Sequence, residues 1–175
     1  MVRALWLDDD GDVAQTAGWR DLRDYVTASG QIQIERTARL DRLQHLGEYD
    51  VVVACTTRVP NDEQSEALEY FVRHGKGLIC LGETITAWQD SEICRELLGT
   101  APATPTPTTE IIGRIAGDHD VTRRLDATIT AHDTALLFET LPDDATPLVQ
   151  TTWRYSPATL AYLQACDAGQ VMALG

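Results

Sequence analysis

Three consecutive aspartates, Asp8, Asp9 and Asp10, follow a first short apolar run at residues 4–7. Carboxylates at such a place can serve as nucleophile, proton donor or cation ligand. Thr56 and Thr57 follow a second apolar run at 50–54, and Glu83, Thr84 and Trp88 follow a third at 77–81. Hydroxyls, carboxylates and an indole suit a sugar: polar groups bond its hydroxyls, and an aromatic face covers the apolar side of its ring. The same residue types also cap loops (Thr, Glu) and fill cores (Trp), so both uses stand open. His119 and His132 each adjoin an acid, Asp118 and Asp120 for the first and Asp133 for the second. That pairing suits a general base or a metal ligand, and equally a turn-forming side chain. His45 and His74 fall at helix ends and read as dipole-compensating or solvent-facing.

Cysteine does not organise a metal centre. Cys55, Cys80, Cys94 and Cys166 are widely separated and include no C-x-x-C pair. Buried, reduced thiols are expected, with neither zinc-site spacing nor a disulfide framework.

Apolar periodicity sets the framework that carries these residues. Residues 50–54 and 77–81 are apolar without alternation, as in parallel strands covered on both faces. Between them Asn61, with Gln64 three residues on, has the spacing of a capping box. Ala67, Leu68, Phe71 and Val72 recur at helical spacing, and Gly75 supplies the stop. Upstream, the spacing predicts a strand at 4–7, an acidic loop at 8–18 and a helix at 19–29 with Leu22, Tyr25 and Val26 on one face. An alternating strand at 31–37 and a short helix at 38–46, carrying Leu40, Leu43 and Leu46, come next. Strands alternating with helices over the first hundred residues indicate an α/β fold with a doubly wound parallel sheet. Ligands of such sheets bind beyond the carboxyl ends of the strands. Asp8, Asp9, Thr56, Thr57, Glu83, Thr84 and Trp88 should therefore meet at one crevice.

Residues 100–109, with three prolines and five threonines, read as a surface loop. Beyond it the chain is strand-rich, with runs at 109–115, 127–131, 134–139, 146–152, 158–165 and 170–174. The last two enclose a hairpin turn at Asp167-Ala168-Gly169. At 175 residues the whole chain, 1–175, is most simply one domain.

A formal charge of -13 repels phosphate backbones and anionic lipid, so nucleic acid and membrane surfaces are not expected partners. No apolar run approaches the ~20 residues that span a bilayer. Asp8 to Asp10 interrupt the N-terminus as no signal peptide would be interrupted, and a cytoplasmic protein is expected. A homo-oligomer is left open.

Several ordered segments resemble one family. They are Tyr49-Asp50-Val51-Val52-Val53, Thr56-Thr57, Glu63-Gln64, Ala67-Leu68-Glu69, Phe71-Val72, Gly75-Lys76-Gly77-Leu78 and Leu97-Leu98-Gly99. Together they resemble the ThuA-like (trehalose-utilisation) family of the class I glutamine amidotransferase-like superfamily. Asp118-His119-Asp120-Val121-Thr122-Arg123-Arg124-Leu125 is similar to its D-H-P-[IV]-T-R-G-L segment, with Asp120 in place of Pro and Arg124 in place of Gly. His132-Asp133 falls where the family has a Thr/His-Asp-Glu element, and residues 169–175 resemble its last strand. The resemblance implies a flavodoxin-like sheet, with a strand-rich C-terminal part, and an association with disaccharide use. It places His132 among the ligand-binding residues and implies no agreed reaction or cofactor.

True amidotransferases carry a nucleophilic cysteine at the turn after a central strand, with His and Glu late in the chain. Cys80-Leu81-Gly82 copies the C-x-G of that turn. Cys80 lies only three residues after Gly77, however, so it should sit within the strand as an inert, buried thiol. The turn is expected at Gly82-Glu83. An intact Cys-His-Glu triad is not expected.

Asp8 and Asp10, with Gly11-Asp12-Val13 behind them, also resemble the D-x-D-G loop of haloacid-dehalogenase-type phosphatases. That resemblance implies a Mg²⁺-dependent phosphatase with Asp8 as nucleophile and Asp10 as acid. Lys76, its candidate phosphate-binding cation, would sit at the amino end of its strand, the wrong edge for a site at the carboxyl ends. A third reading is a non-catalytic partner subunit.

Overall fold

Unalternating apolar strands pair in parallel when helices cover them, and this rule organises the first half of the chain. The computed structural model describes residues 1–9, 17–102 and 105–175. The order is β1 (Val2–Asp8), α1 (Ala17–Ala28), β2 (Ile32–Thr37), β3 (Val51–Cys55), α2 (Asp62–Arg73), β4 (Gly77–Leu81), α3 (Glu83–Ala87) and α4 (Glu92–Leu98). Then come β5 (Thr109–Ile115), β6 (Thr128–Asp133), β7 (Thr146–Trp153), β8 (Ser156–Cys166) and β9 (Gly169–Leu174). These nine strands form one mixed sheet, ordered β2-β1-β3-β4-β9-β8-β7-β5-β6.

β2, β1, β3, β4 and β9 run parallel, and β8, β7, β5 and β6 extend the sheet antiparallel. The last strand, β9, lies against β4, with Leu81 opposite Leu174. The hairpin turn after Cys166 thus returns the chain to the parallel half.

One face of the parallel half carries most of the core. Leu5, Leu7, Val52, Leu78 and Val171 pack there against Leu68 and Phe71 of α2 and Leu97 and Leu98 of α4. On the other face Trp6, Val53 and Leu81 form a smaller cluster. α1 lies on that face, where Arg23 reaches Asp8 at 3.7 Å.

Helix α2 starts as its sequence dictates. The Asn61 side chain accepts the Gln64 N–H at 2.9 Å, and the Gln64 side chain accepts the Asn61 N–H at 3.0 Å. Three expectations need correction. The predicted short helix at 38–46 is a 3₁₀ helix over Leu40–His45. Its leucines at 40, 43 and 46 have a spacing of three, the 3₁₀ period, and Arg39 provides no side-chain cap. Among the described residues, the run 134–139 pairs with the sheet only through a single bridge between Phe138 and Thr159. Of the apolar face read for α1 from Leu22, Tyr25 and Val26, Tyr25 is 78% and Leu22 39% exposed.

Candidate crevice at the carboxyl ends of the parallel strands

β1, β3 and β4 are neighbours in the sheet, so the segments leaving their carboxyl ends meet at one edge. Asp8 lies opposite Cys55, and Val53 opposite Ile79, which brings the ends of the three strands level. Asp8, Asp9, Thr56, Thr57, Glu83 and Thr84 are brought together here.

Asp9 and the two threonines make a clamp. The Asp9 carboxylate accepts the Thr57 N–H and the Thr57 hydroxyl, each at 2.8 Å, and the Thr56 hydroxyl. Arg58 Nε lies 3.6 Å away. Burial pushes the Asp9 carboxyl up. The hydrogen bonds from Thr56 and Thr57 and the Arg58 charge outweigh burial and hold it below the ordinary carboxylate value.

Thr84 ties β3 to α3. Its hydroxyl accepts the Thr56 N–H at 2.8 Å and donates to the Ala54 carbonyl at 3.1 Å. Both hydroxyl roles are thus filled, which is why a threonine can sit there buried.

Asp8 is 6% exposed. Its Oδ2 accepts from Arg36 Nε at 2.6 Å, while its buried Oδ1 has no hydrogen-bond partner among the described residues. A buried carboxylate oxygen without a donor costs free energy, of order 1–3 kcal/mol.

No cysteine offers a ready thiolate. Burial, then the charges of Asp8, Asp9 and Glu83, push the Cys55 thiol up to about 12. Cys80 is fully buried within β4, and burial raises its pKa well above the usual thiol value. Burial likewise raises Cys94 and Cys166. The backbone leaves the sheet at Gly82, where φ is 53° and ψ is -127°, and α3 comes at once. That sharp strand-to-helix turn is the geometry in which a nucleophile elbow presents its side chain. Here glycine occupies it, because a positive φ strains any residue with a Cβ.

Two sequence candidates stand elsewhere. Trp88 is 0% exposed and donates its indole N–H to the Arg58 carbonyl at 3.0 Å. It supports the crevice from within the core and shows no open face. His132 lies on β6, five strands from β4, or about 24 Å along the sheet at ~4.8 Å per strand. Its strand is exposed along its whole length. Of the phosphatase residues, Asp10 falls outside the described residues, Asp8 is held by arginine, and Lys76 pairs with Asp50 at 2.8 Å at the amino end of β4. These contacts weigh against that reading. The cations around Asp8 and Asp9, which are Arg23, Arg36 and Arg58, were not singled out from the sequence. Arginines are scattered along the chain, and nothing in their spacing marks these three.

Among the described residues no group of three or more His, Cys, Asp or Glu side chains is placed to hold a metal ion. No described helix is long and apolar enough to cross a membrane.

No curated protein sequence matches the chain. Solved structures do. A thua-like protein from Bacteroides uniformis ATCC 8492 superposes with a TM-score of 0.79 at 14% identity, covering 99% of this chain and 80% of that one. A cytoplasmic protein from Salmonella typhimurium LT2 gives 0.74 at 11% identity, covering 99% and 87%. A β-galactosidase from Bacillus circulans sp. alkalophilus gives 0.69 at 13% identity, and the match covers 98% of this chain but 28% of the enzyme. At these identities the likeness is one of fold. The sequence model of the trehalose-utilisation family, however, matches residues 4–171, and the chain belongs to that ThuA family.

Proposed function

We propose that the crevice above β1, β3 and β4 binds a carbohydrate-derived small molecule in sugar utilisation of the trehalose type, without cysteine nucleophilic chemistry. The observation that carries this reading is the convergence of Asp8, Asp9, Thr57 and Glu83 at one strand edge, with Asp8 Oδ1 buried and unpartnered among the described residues. Carboxylates and hydroxyls fixed on rigid strand ends are the polar set that orients sugar hydroxyls. Family membership supports the sugar class. The strand order β2-β1-β3-β4-β9, with α1 on one face and α2 and α4 on the other, supports a flavodoxin-like winding of the parallel half.

The absence of amidase chemistry rests on the thiols. Cys80 is sealed inside β4 and glycine stands at the turn. Asp8 would accept a sugar hydroxyl at Oδ1, while the Arg36 bond to Oδ2 holds the carboxylate in place.

Titration calorimetry against trehalose, its monosaccharide and their oxidised forms tests this. Saturable binding that Asp8→Asn weakens by about tenfold or more is expected. Failure of every sugar to bind the folded protein would end the sugar reading.

A further inference from the structure

A cavity lies far from the crevice, where β5 and β7 part. The two strands pair only at Arg114 opposite Gln150 and Ile115 opposite Val149. Beside that point β7 is irregular, with register shifts on both sides of Val149. Such bulges turn a strand away from its neighbour. Past it the ladder is replaced by one side-chain bond, from the Thr151 hydroxyl to the Ile112 carbonyl at 2.9 Å. The gap is a cavity of about 210 Å³. Ile111 and Thr106 line its buried part, and Glu110, Arg114, Thr151 and Trp153 its open part.

Arg114 is one of the described arginines without a carboxylate partner, as are Arg95, Arg124 and Arg154. Arg3, Arg42, Arg58 and Arg73 each lie against a carboxylate, as expected with 27 acidic residues and 14 basic ones. Among the described residues, Arg114 makes no side-chain hydrogen bond or ion pair, and neither does Glu110 on the same strand face. The Trp153 indole N–H also has no acceptor among them, while the Arg154 guanidinium lies 5.8 Å from its ring centre. One guanidinium, that of Arg154, thus borders the half-buried indole, and Arg114 lines the same cavity.

We infer that this cleft is a binding site for a single-ring sugar acid. The planar guanidinium of Arg114 matches a carboxylate in two parallel hydrogen bonds. Trp153 covers the apolar face of the ring, and Thr151 and Glu110 meet its hydroxyls. The volume is below the few hundred Å³ of larger ligand sites, which favours one ring over two. Glu110 at the rim and the overall charge of -13 favour a monoanion over a phosphate dianion. The site stands apart from the crevice, so either can fail without the other.

The test is NMR titration of the Trp153 indole N–H, identified by its loss in Trp153→Phe, with D-glucuronate. A saturable shift is expected, with glucose and glucose 6-phosphate each binding about tenfold or more weaker. Arg114→Gln should abolish the preference for the acid, and Arg114→Lys should restore it only in part. The inference is overturned if the indole does not shift, if Arg114→Gln binds glucuronate unchanged, or if acetate binds as tightly as glucuronate.

Discussion

The carboxylate of Asp9, just beyond β1, accepts both the backbone N–H and the hydroxyl of Thr57, just beyond β3, each at 2.8 Å. One side chain therefore holds two strand exits in register. Asp9→Ala should cost about 1–3 kcal/mol in denaturant unfolding, through loss of charge-assisted bonds. The lowered pKa of Asp9 sets the pH dependence. A depressed folded value means the stabilisation is present above the unfolded value, about 3.9, and is lost as pH falls through the folded value. The stability gap between wild type and Asp9→Asn should be constant near neutrality and close in acid. A gap that widened in acid would contradict the clamp.

Cys80 and Gly82 are two residues apart, yet one is sealed in the core and the other turns the chain out of the sheet. Native protein treated with iodoacetamide at neutral pH should stay unlabelled at Cys80, with full labelling on unfolding. Cys55, with its thiol pushed up to about 12, should react about a thousandfold more slowly than an ordinary thiol. Rapid, stoichiometric native labelling of Cys80, read by mass spectrometry, would restore a thiol mechanism.

Trp88 is a test of support against contact. Trp88→Phe removes the bond to the Arg58 carbonyl and leaves part of a fully buried site empty. A loss of about 1–3 kcal/mol is expected, with sugar affinity of the folded variant little changed. Unchanged stability with binding abolished would make Trp88 a ligand contact.

Local signals in the chain foretold local structure. The unalternating run at 77–81 is β4 to the residue, and Asn61 with Gln64 forms the capping box its spacing promised. The gathering of Asp8, Asp9, Thr56, Thr57, Glu83 and Thr84 was readable because strands of a parallel sheet present their carboxyl ends at one edge. Trp88 was misleading for a physical reason. Its place after a strand fits a crevice wall and a core filler alike, and only the packing of α3 and α4 decides between them. His132 was misplaced because the order of antiparallel strands leaves no trace in periodicity. Nothing in 128–133 says that this strand is the far edge, or that β9 slips between β4 and β8. The leucines at 40, 43 and 46 did carry their period of three, which distinguishes a 3₁₀ turn from an α-helix.

Amide chemical-shift mapping with a neutral sugar that binds in calorimetry tests the crevice most directly. Saturable shifts should concentrate at Asp9, Thr57, Gly82 and Glu83 and fade in Asp8→Asn. Shifts confined to β6 around His132, with these four amides unmoved, would contradict the account.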